Sequence, residues 1–274
     1  MPQNNISVVV CARNEESRIE KALLSIQAAN PQEIVVVDGN SEDKTVEIAQ
    51  KYTDKVIVSL AGSLTADRQI GIDATNCDYI AMIDADHRIK PDTLTSLKQD
   101  LNDFKFDVVQ SKLGIEESSF WTSAENQAFD IFLNHAGPKK MIGTAPAMYR
   151  KTLFEKHRFD AKVTRNKDDA DFFYRLSLLS EYTYGTGNTY VWQEHHASFS
   201  DYVKKFFWYG KGDSEFCRKH INRAPSMIYH LFINYPFIRS AKAILKGKPK
   251  AVPYFIVCGL TRGTSVLYHL LLRH

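Results

Sequence analysis

The chain has 274 residues, 44% of them hydrophobic and 24% charged, the composition of a soluble globular protein with room for one large domain and an appendage. Its formal net charge of +3 conceals an asymmetry: residues 1–202 hold 22 Lys and Arg against 30 Asp and Glu, whereas residues 203–274 hold 13 against 2. Four scattered cysteines without a Cys-x-x-Cys pair argue against a disulfide framework and are expected as buried free thiols. The start, MPQNNISVVV, lacks the basic and apolar regions of a signal peptide, which predicts a cytoplasmic protein.

In chain order, ISVVVCA (6–12) reads as a buried strand and EESRIEKALLSIQAA (15–29) as an amphipathic helix. EIVVVDG (33–39) is a second strand, followed by a helix from about Glu42 to Tyr52. KVIVSL (55–60) and SLTADRQIGIDAT (63–75) repeat the unit, and DYIAMIDAD (78–86) supplies a fourth strand. PDTLTSLKQDLNDF (91–104) is a helix with proline in its first turn, and FDVVQSKLGI (106–115) is another strand. The alternation then loosens into a helix near 119–135, a Gly/Pro loop at 137–146, a helix near 169–180 and a strand around 189–194. Apolar strands separated by helices predict an α/β domain over residues 1–200, with a mostly parallel central sheet covered by helices on both faces. Ligands bind such sheets beyond the carboxyl ends of the strands. The polar groups expected at that rim are Arg13-Asn14-Glu15, Asp38 and the Asp84/Asp86 pair.

From about Ser200 the character changes, so residues 201–274 form a basic, aromatic and helical C-terminal region in this reading. Its apolar stretch 251–272 is interrupted by Arg262-Gly263-Thr264-Ser265. A central arginine costs roughly 2.5–3.5 kcal/mol on insertion scales, which disfavours a simple span. Two arrangements remain: helices lying in a membrane interface with a Lys/Arg-rich rim, or a helical subdomain packed on the core.

No Gly-rich phosphate loop is present, because the first strand ends in CARNEES and no GxxxxGK[ST] occurs. A nucleotide bound at this rim would need its phosphates neutralised by a divalent cation on hard oxygen ligands, and Asp84 and Asp86 supply the carboxylates. Three acids within four residues in DDADFF (168–173) repel one another, which raises a carboxyl toward the working range of a general base.

Several segments together resemble the family 2 glycosyltransferases of GT-A fold. VVDGNSEDKT (36–45) is similar to the family's VVDDGSxDxT signature, ARNEE (12–16) to its first-strand turn, and ADRQIGI (66–72) to its ARNxGI helix. IDAD (83–86) resembles the DxD motif, and RNKDDADFFYRL (165–176) the EDxDLxxRL acceptor-side motif. Three positions depart from the pattern: Gly39 replaces the second acid of DDGS, Gln69 replaces Asn, and Asp168 replaces the Glu of ED.

The resemblance implies that Ala12, Arg13, Asn14, Glu15 and Asp38 line a base and ribose pocket, with Asp38 accepting from the base. The alternative for Asp38 is an Asx-type turn with Ser41 that caps the next helix. Arg68 would reach the diphosphate or hold Asp84. Asp84 would face ribose and metal, and Asp86 would bind Mn²⁺ or Mg²⁺. Asp169 falls on the family's catalytic base, while Asp168 and Asp171 would cap and orient its helix. In VWQEHHASF (191–199) the family places a further metal ligand, with His195 the first choice and His196 the second. Lys204, Lys205 and Lys211 would close over the leaving diphosphate or face lipid. The expected protein is an inverting, metal-dependent glycosyltransferase using a UDP- or GDP-sugar and a sugar or lipid-linked acceptor, peripheral on an anionic membrane surface and without a nucleic-acid partner. Its rivals are a metal-dependent nucleotidyltransferase, a nucleic-acid-binding protein using the basic tail, and a catalytically silent scaffold.

Overall fold

A computed structural model describes residues 5–164, 166–194 and 198–271. Its elements in chain order are β1 (Ile6–Ala12), α1 (Ile19–Ala28), β2 (Glu33–Asp38), α2 (Thr45–Ala49), β3 (Val56–Val58), α3 (Leu64–Asp73), β4 (Tyr79–Met82), β5 (His87–Arg88), α4 (Thr93–Asp103) and β6 (Val108–Ile115). There follow α5 (Phe120–Phe132), β7 (Gly137–Pro138), β8 (Ala147–Arg150), α6 (Thr152–Lys156), α7 (Asp168–Ser177), β9 (Tyr184–Gln193) and α8 (Phe199–Lys219). A helical run then passes through α9 (Ala224–Tyr229), a wider π-helical stretch (His230–Arg239) and α10 (Ser240–Leu245), before α11 (Ala251–Leu271).

The chain divides into two compact units rather than at one cut near residue 200. The first holds residues 1–112, 136–164 and 168–194, and the second holds 113–135, 165–167 and 195–274. The physical reason is α5, whose apolar face (Ala124, Ala128, Ile131) packs with Tyr202, Phe206, Phe255 and Cys258 of the helical unit.

In the first unit the strands run in the order β3-β2-β1-β4-β8-β6-β9-β5, with β7 beside β9. Pairings among β3, β2, β1 and β4 are parallel, whereas β8 pairs antiparallel with both β4 and β6. The sheet is therefore mixed rather than mostly parallel. The difference lies in β8, a four-residue strand (Ala-Met-Tyr-Arg) too short to register as a periodic pattern. Alternate residues of β1 face opposite layers, as strand geometry requires. Val8 and Val10 pack with Ile19, Leu23, Ile26, Leu94, Leu97 and Leu101 of α1 and α4. Val9 and Cys11 pack with Ile72, Phe154, Phe172 and Phe173 on the other face. Gly71 brings α3 hard against the sheet, since a Cβ there would lie 2.4 Å from Val9 Cγ1.

Several elements end earlier than their apolar runs. α1 starts at Ile19, because the Glu15 carbonyl accepts the N–H groups of Arg18 and Ile19 in a turn. β4 stops at Met82, because the Asp84 N–H donates to His87 Nδ1 at 3.0 Å and the His87 N–H returns to the Asp84 carbonyl at 3.0 Å. That turn lifts Asp84 and Asp86 out of the ladder at the rim.

The second unit buries two acids among its helices. Glu125 accepts from Tyr202 Oη at 2.6 Å, Tyr254 Oη at 3.0 Å and Lys205 Nζ at 3.2 Å. Asp213, fully buried, takes a two-pronged contact from Arg262, 2.9 Å at Nε and 2.9 Å at Nη2, with Lys167 Nζ at 3.3 Å. The arginine that interrupts the apolar stretch is thus neutralised inside the helical unit, and α11 runs through it unbroken. Among the described residues no helix is long and apolar enough to cross a membrane. All four cysteines are buried and unpaired.

Removing one member of a buried ion pair strands the other charge, at a cost of about 3–5 kcal/mol. Asp213→Ala is expected to lose that much in urea unfolding, whereas Lys204→Ala, at an exposed position on α8, is expected to change stability by less than about 0.5 kcal/mol. Equal effects would refute the role of the Asp213–Arg262 pair.

Candidate active site

The rim lies beyond the carboxyl ends of β1, β2 and β4, where the chain order reverses between β1 and β4. Loops 13–18 and 39–45 are stitched together there. The Asn14 N–H donates to Ser41 Oγ at 2.8 Å, Asn14 Oδ1 accepts the Glu42 N–H at 2.9 Å, and the Glu15 N–H donates to Thr45 Oγ1 at 2.8 Å. Asn14 adopts φ +56°, the left-handed conformation that asparagine tolerates best among residues with a Cβ. The Ala12 carbonyl accepts the Gly39 N–H at 2.8 Å, closing the ladder at the rim.

Asp38 forms the turn with Ser41. It is fully buried, and its two oxygens accept from Ser41, one from the N–H at 2.8 Å and the other from Oγ at 2.5 Å. This is the Asx-type turn, so Asp38 shapes the loop.

Arg68 is the organising residue. Only 6% exposed, it contacts Asp168 through Nη1 and Asp84 through Nη2, at 3.1 Å to Oδ1 and 3.3 Å to Oδ2. Burial disfavours its charge, but the carboxylates of Asp168 and Asp84 outweigh that and hold the guanidinium firmly protonated. Asp168 also accepts from Thr144 Oγ1 at 2.8 Å. Beneath them, the Tyr149 phenol donates to the Thr144 carbonyl at 2.8 Å. Burial pushes that phenol well up, with Arg68, Asp168, Asp169 and Asp84 all within electrostatic reach.

The acids of α7 are shared out among partners rather than crowding one another. Asp168 belongs to Arg68 and Thr144, and Asp171 pairs with Arg175 at 2.9 Å. Asp169, half-buried, accepts the Ala170 N–H at 2.6 Å in the first turn of the helix, where negative charge is favoured.

Asp86 accepts from Gln193 Nε2 at 2.8 Å, and its carbonyl accepts the Glu194 N–H at 2.8 Å. Gln193 sits opposite His87 in the β5–β9 pairing, a contact without any signal in the sequence. Ligand atoms of Asp84, Asp86 and His87 lie within 4.8 Å of one another. His87 nevertheless makes a poor ligand. Its Nδ1 accepts the Asp84 N–H, so the neutral ring carries its proton on Nε2, which faces Asp86 Oδ1 at 3.7 Å. It orients the acid pair and leaves the metal to carboxylate oxygens. Two hard carboxylates fit Mg²⁺ or Mn²⁺, and Asp84 and Asp86 would hold such an ion. Glu15 stands nearby: burial pushes its carboxyl up against the pull of Arg18, and Asp86 and Asp84 push it further.

His195 and His196 lie outside the described residues. Lys204, Lys205 and Lys211 belong to α8 of the second unit; Lys204 is exposed, Lys205 pairs with Glu125, and Lys211 is half-buried.

The site is a carboxylate rim at the switch point of an α/β sheet, without a Gly-rich loop. Residues 7–183 match the Glycosyl transferase family 2 domain, and the chain belongs to that family. It is 26% identical over 223 residues to the putative glycosyltransferase EpsH of Bacillus subtilis, covering 74% of this chain and 64% of that protein. It is 26% identical over 201 residues to the glycosyltransferase GlyA of Streptococcus pneumoniae, covering 65% of this chain and 29% of that one. The chain thus spans less than two thirds of these relatives. Among solved structures, TarS 1–349 of S. aureus in complex with UDP-GlcNAc is similar with TM-score 0.56 at 15% identity, covering 96% of this chain and 91% of that one. Glucosyl-3-phosphoglycerate synthase of Mycobacterium tuberculosis, in complex with Mg²⁺ and UDP, gives TM-score 0.54 at 19% identity, covering 78% of each. This likeness establishes the GT-A fold.

Arg68→Met strands Asp168, which is 5% exposed, and is expected to cost about 3–5 kcal/mol in urea unfolding. Asp168→Asn is expected to cost less, because Arg68 keeps Asp84. A loss below about 1 kcal/mol for Arg68→Met would show that the clamp is not structural.

Proposed function

We propose that this protein transfers a sugar, with inversion, from a nucleoside-diphosphate donor to an acceptor hydroxyl. The observation that carries the reading is the Asp84/Asp86 pair, organised from behind by Arg68 and Gln193 at the rim of a family 2 sheet. The UDP, UDP-GlcNAc and Mg²⁺ complexes of the structural relatives support a nucleotide-sugar donor. A bound Mg²⁺ or Mn²⁺ would neutralise the diphosphate as it leaves. Asp84 and Asp86 hold that cation, and Arg68 fixes the first of them in place. Asp169 takes the proton from the acceptor hydroxyl while its oxygen bonds to the anomeric carbon and the bond from that carbon to the diphosphate oxygen breaks. Displacement from the opposite face inverts the centre and needs no covalent enzyme intermediate.

The acceptor in this reading is presented at an anionic membrane surface, as on a lipid-linked sugar. Support comes from the helical run after Arg223. Ile228, Tyr229, Ile233, Phe237, Ile238, Ile244 and Leu245 are exposed at helical spacings, Phe237 at 65% and Leu245 at 87%. Lys242, Lys246 and Lys250 are exposed beside them. Apolar side chains inserted among headgroups with lysines at the rim describe an interfacial helix.

Asp169→Asn is expected to lower transfer in a screen of nucleotide sugars and acceptors by about 10²-fold or more, with donor binding intact. Unchanged transfer would remove Asp169 as the base. Sedimentation with phosphatidylglycerol vesicles at low salt is expected to capture the protein, and Phe237→Ser with Leu245→Ser to release it. Equal recovery with purely zwitterionic vesicles, or none with either, would contradict the membrane reading.

A further inference from the structure

Gly39 stands where the family's signature carries its second acid, and Asp38 is consumed by its own turn. Gly39 itself offers the base no carboxylate. A Cβ built at Gly39 would lie 3.1 Å from Asp67 Oδ2, 3.5 Å from Arg13 Cβ and 3.6 Å from Arg13 Cδ. The place of the absent side chain is therefore lined by an acid arriving from α3. Asp67 directly precedes Arg68, at the position where the ARNxGI pattern has its alanine. One acid is missing from the loop, and one has appeared on the helix facing it.

Asp67 is 6% exposed, and its Oδ1 is buried with no hydrogen-bond partner among the described residues. Burial pushes its carboxyl up, the Ser59 hydroxyl works against that, Asp38 adds to it, and Arg13 opposes it. A buried carboxylate oxygen without a donor is costly unless a ligand supplies one. Asp38 beside it has both oxygens satisfied within its turn, so the vacancy is confined to Asp67.

We propose that Asp67 fills the place left open at Gly39 and accepts the ring N–H of the donor's base, selecting uracil. The inference rests on the nucleotide-sugar reading of the same rim. The exposed side chain of Arg13 lines the gap together with Asp67 Oδ2; entry of the base displaces Arg13, and the carboxyl turns to present Oδ1. One open oxygen matches the single imide N–H of uracil, whereas guanine presents two adjacent donors. Cytosine offers an acceptor at the same ring position and meets the carboxylate with repulsion.

The test is calorimetric titration of UDP, CDP and inorganic pyrophosphate, each with Mn²⁺, into the full chain and two variants. Asp67→Asn, which keeps size and shape, is expected to weaken UDP binding about 10- to 100-fold, the range of one charge-assisted hydrogen bond. It should also narrow the preference for UDP over CDP and leave pyrophosphate binding unchanged. The double variant Gly39→Asp/Asp67→Ala returns the acid to the loop and is expected to regain most of the UDP affinity. Unchanged UDP affinity and an unchanged UDP/CDP ratio in Asp67→Asn would overturn the proposal. So would an equal loss for pyrophosphate, which would mark Asp67 as merely structural. A wild-type chain that binds neither UDP nor pyrophosphate with Mn²⁺ would overturn the nucleotide-sugar reading itself.

Discussion

A single buried guanidinium ties this site together. Arg68 projects from α3 between Asp84, in the turn after β4, and Asp168, at the start of α7 a hundred residues later in the chain. Both acids lie where uncompensated charge would be costly, and the arginine offsets that cost while fixing their directions. Arginine suits the task because its planar fork addresses two carboxylates at once and does not deprotonate. Without it, Asp84 and the helix that carries Asp169 would have no common reference.

The remaining polar groups of the rim are sorted by the same economy of charge. Each structural acid has a dedicated partner: Asp38 has Ser41, Asp168 has Arg68 and Thr144, and Asp171 has Arg175. Asp84 meets Arg68, and Gln193 and His87 orient Asp86. Asp67 stands apart as a buried acid with an oxygen left unsatisfied. The distribution separates acids whose oxygens are satisfied within the rim from one with an oxygen unsatisfied among the described residues, and burial alone would not separate them, since Asp38 and Asp67 are both buried.

Much of this was legible in the residues. The continuous apolar run of β1 and the Ser63-capped α3 announce themselves, and the order of the motifs points to the family and to the rim. What escaped were features without a local signal. β8 is four residues long and turns half the sheet antiparallel. The partition of the helical unit depends on α5 packing with residues a hundred positions away. For Asp38 the residues left open a base contact or a turn with Ser41, and the fold shows the turn. Asp67 carried no signal in the sequence, and its place beside Gly39 shows only in the fold. Arg262 broke the apolar stretch in sequence, yet in the fold it is matched by Asp213.

The central claim is that the acid pair beyond β4 grips a cation which in turn grips a nucleoside diphosphate. Its most direct test is titration of UDP into the wild-type chain and Asp86→Asn, each with and without Mn²⁺. The account predicts that Mn²⁺ tightens UDP binding to the wild type by about tenfold or more and that this gain disappears in Asp86→Asn. An equal gain from Mn²⁺ in both proteins, or none in the wild type, would contradict it.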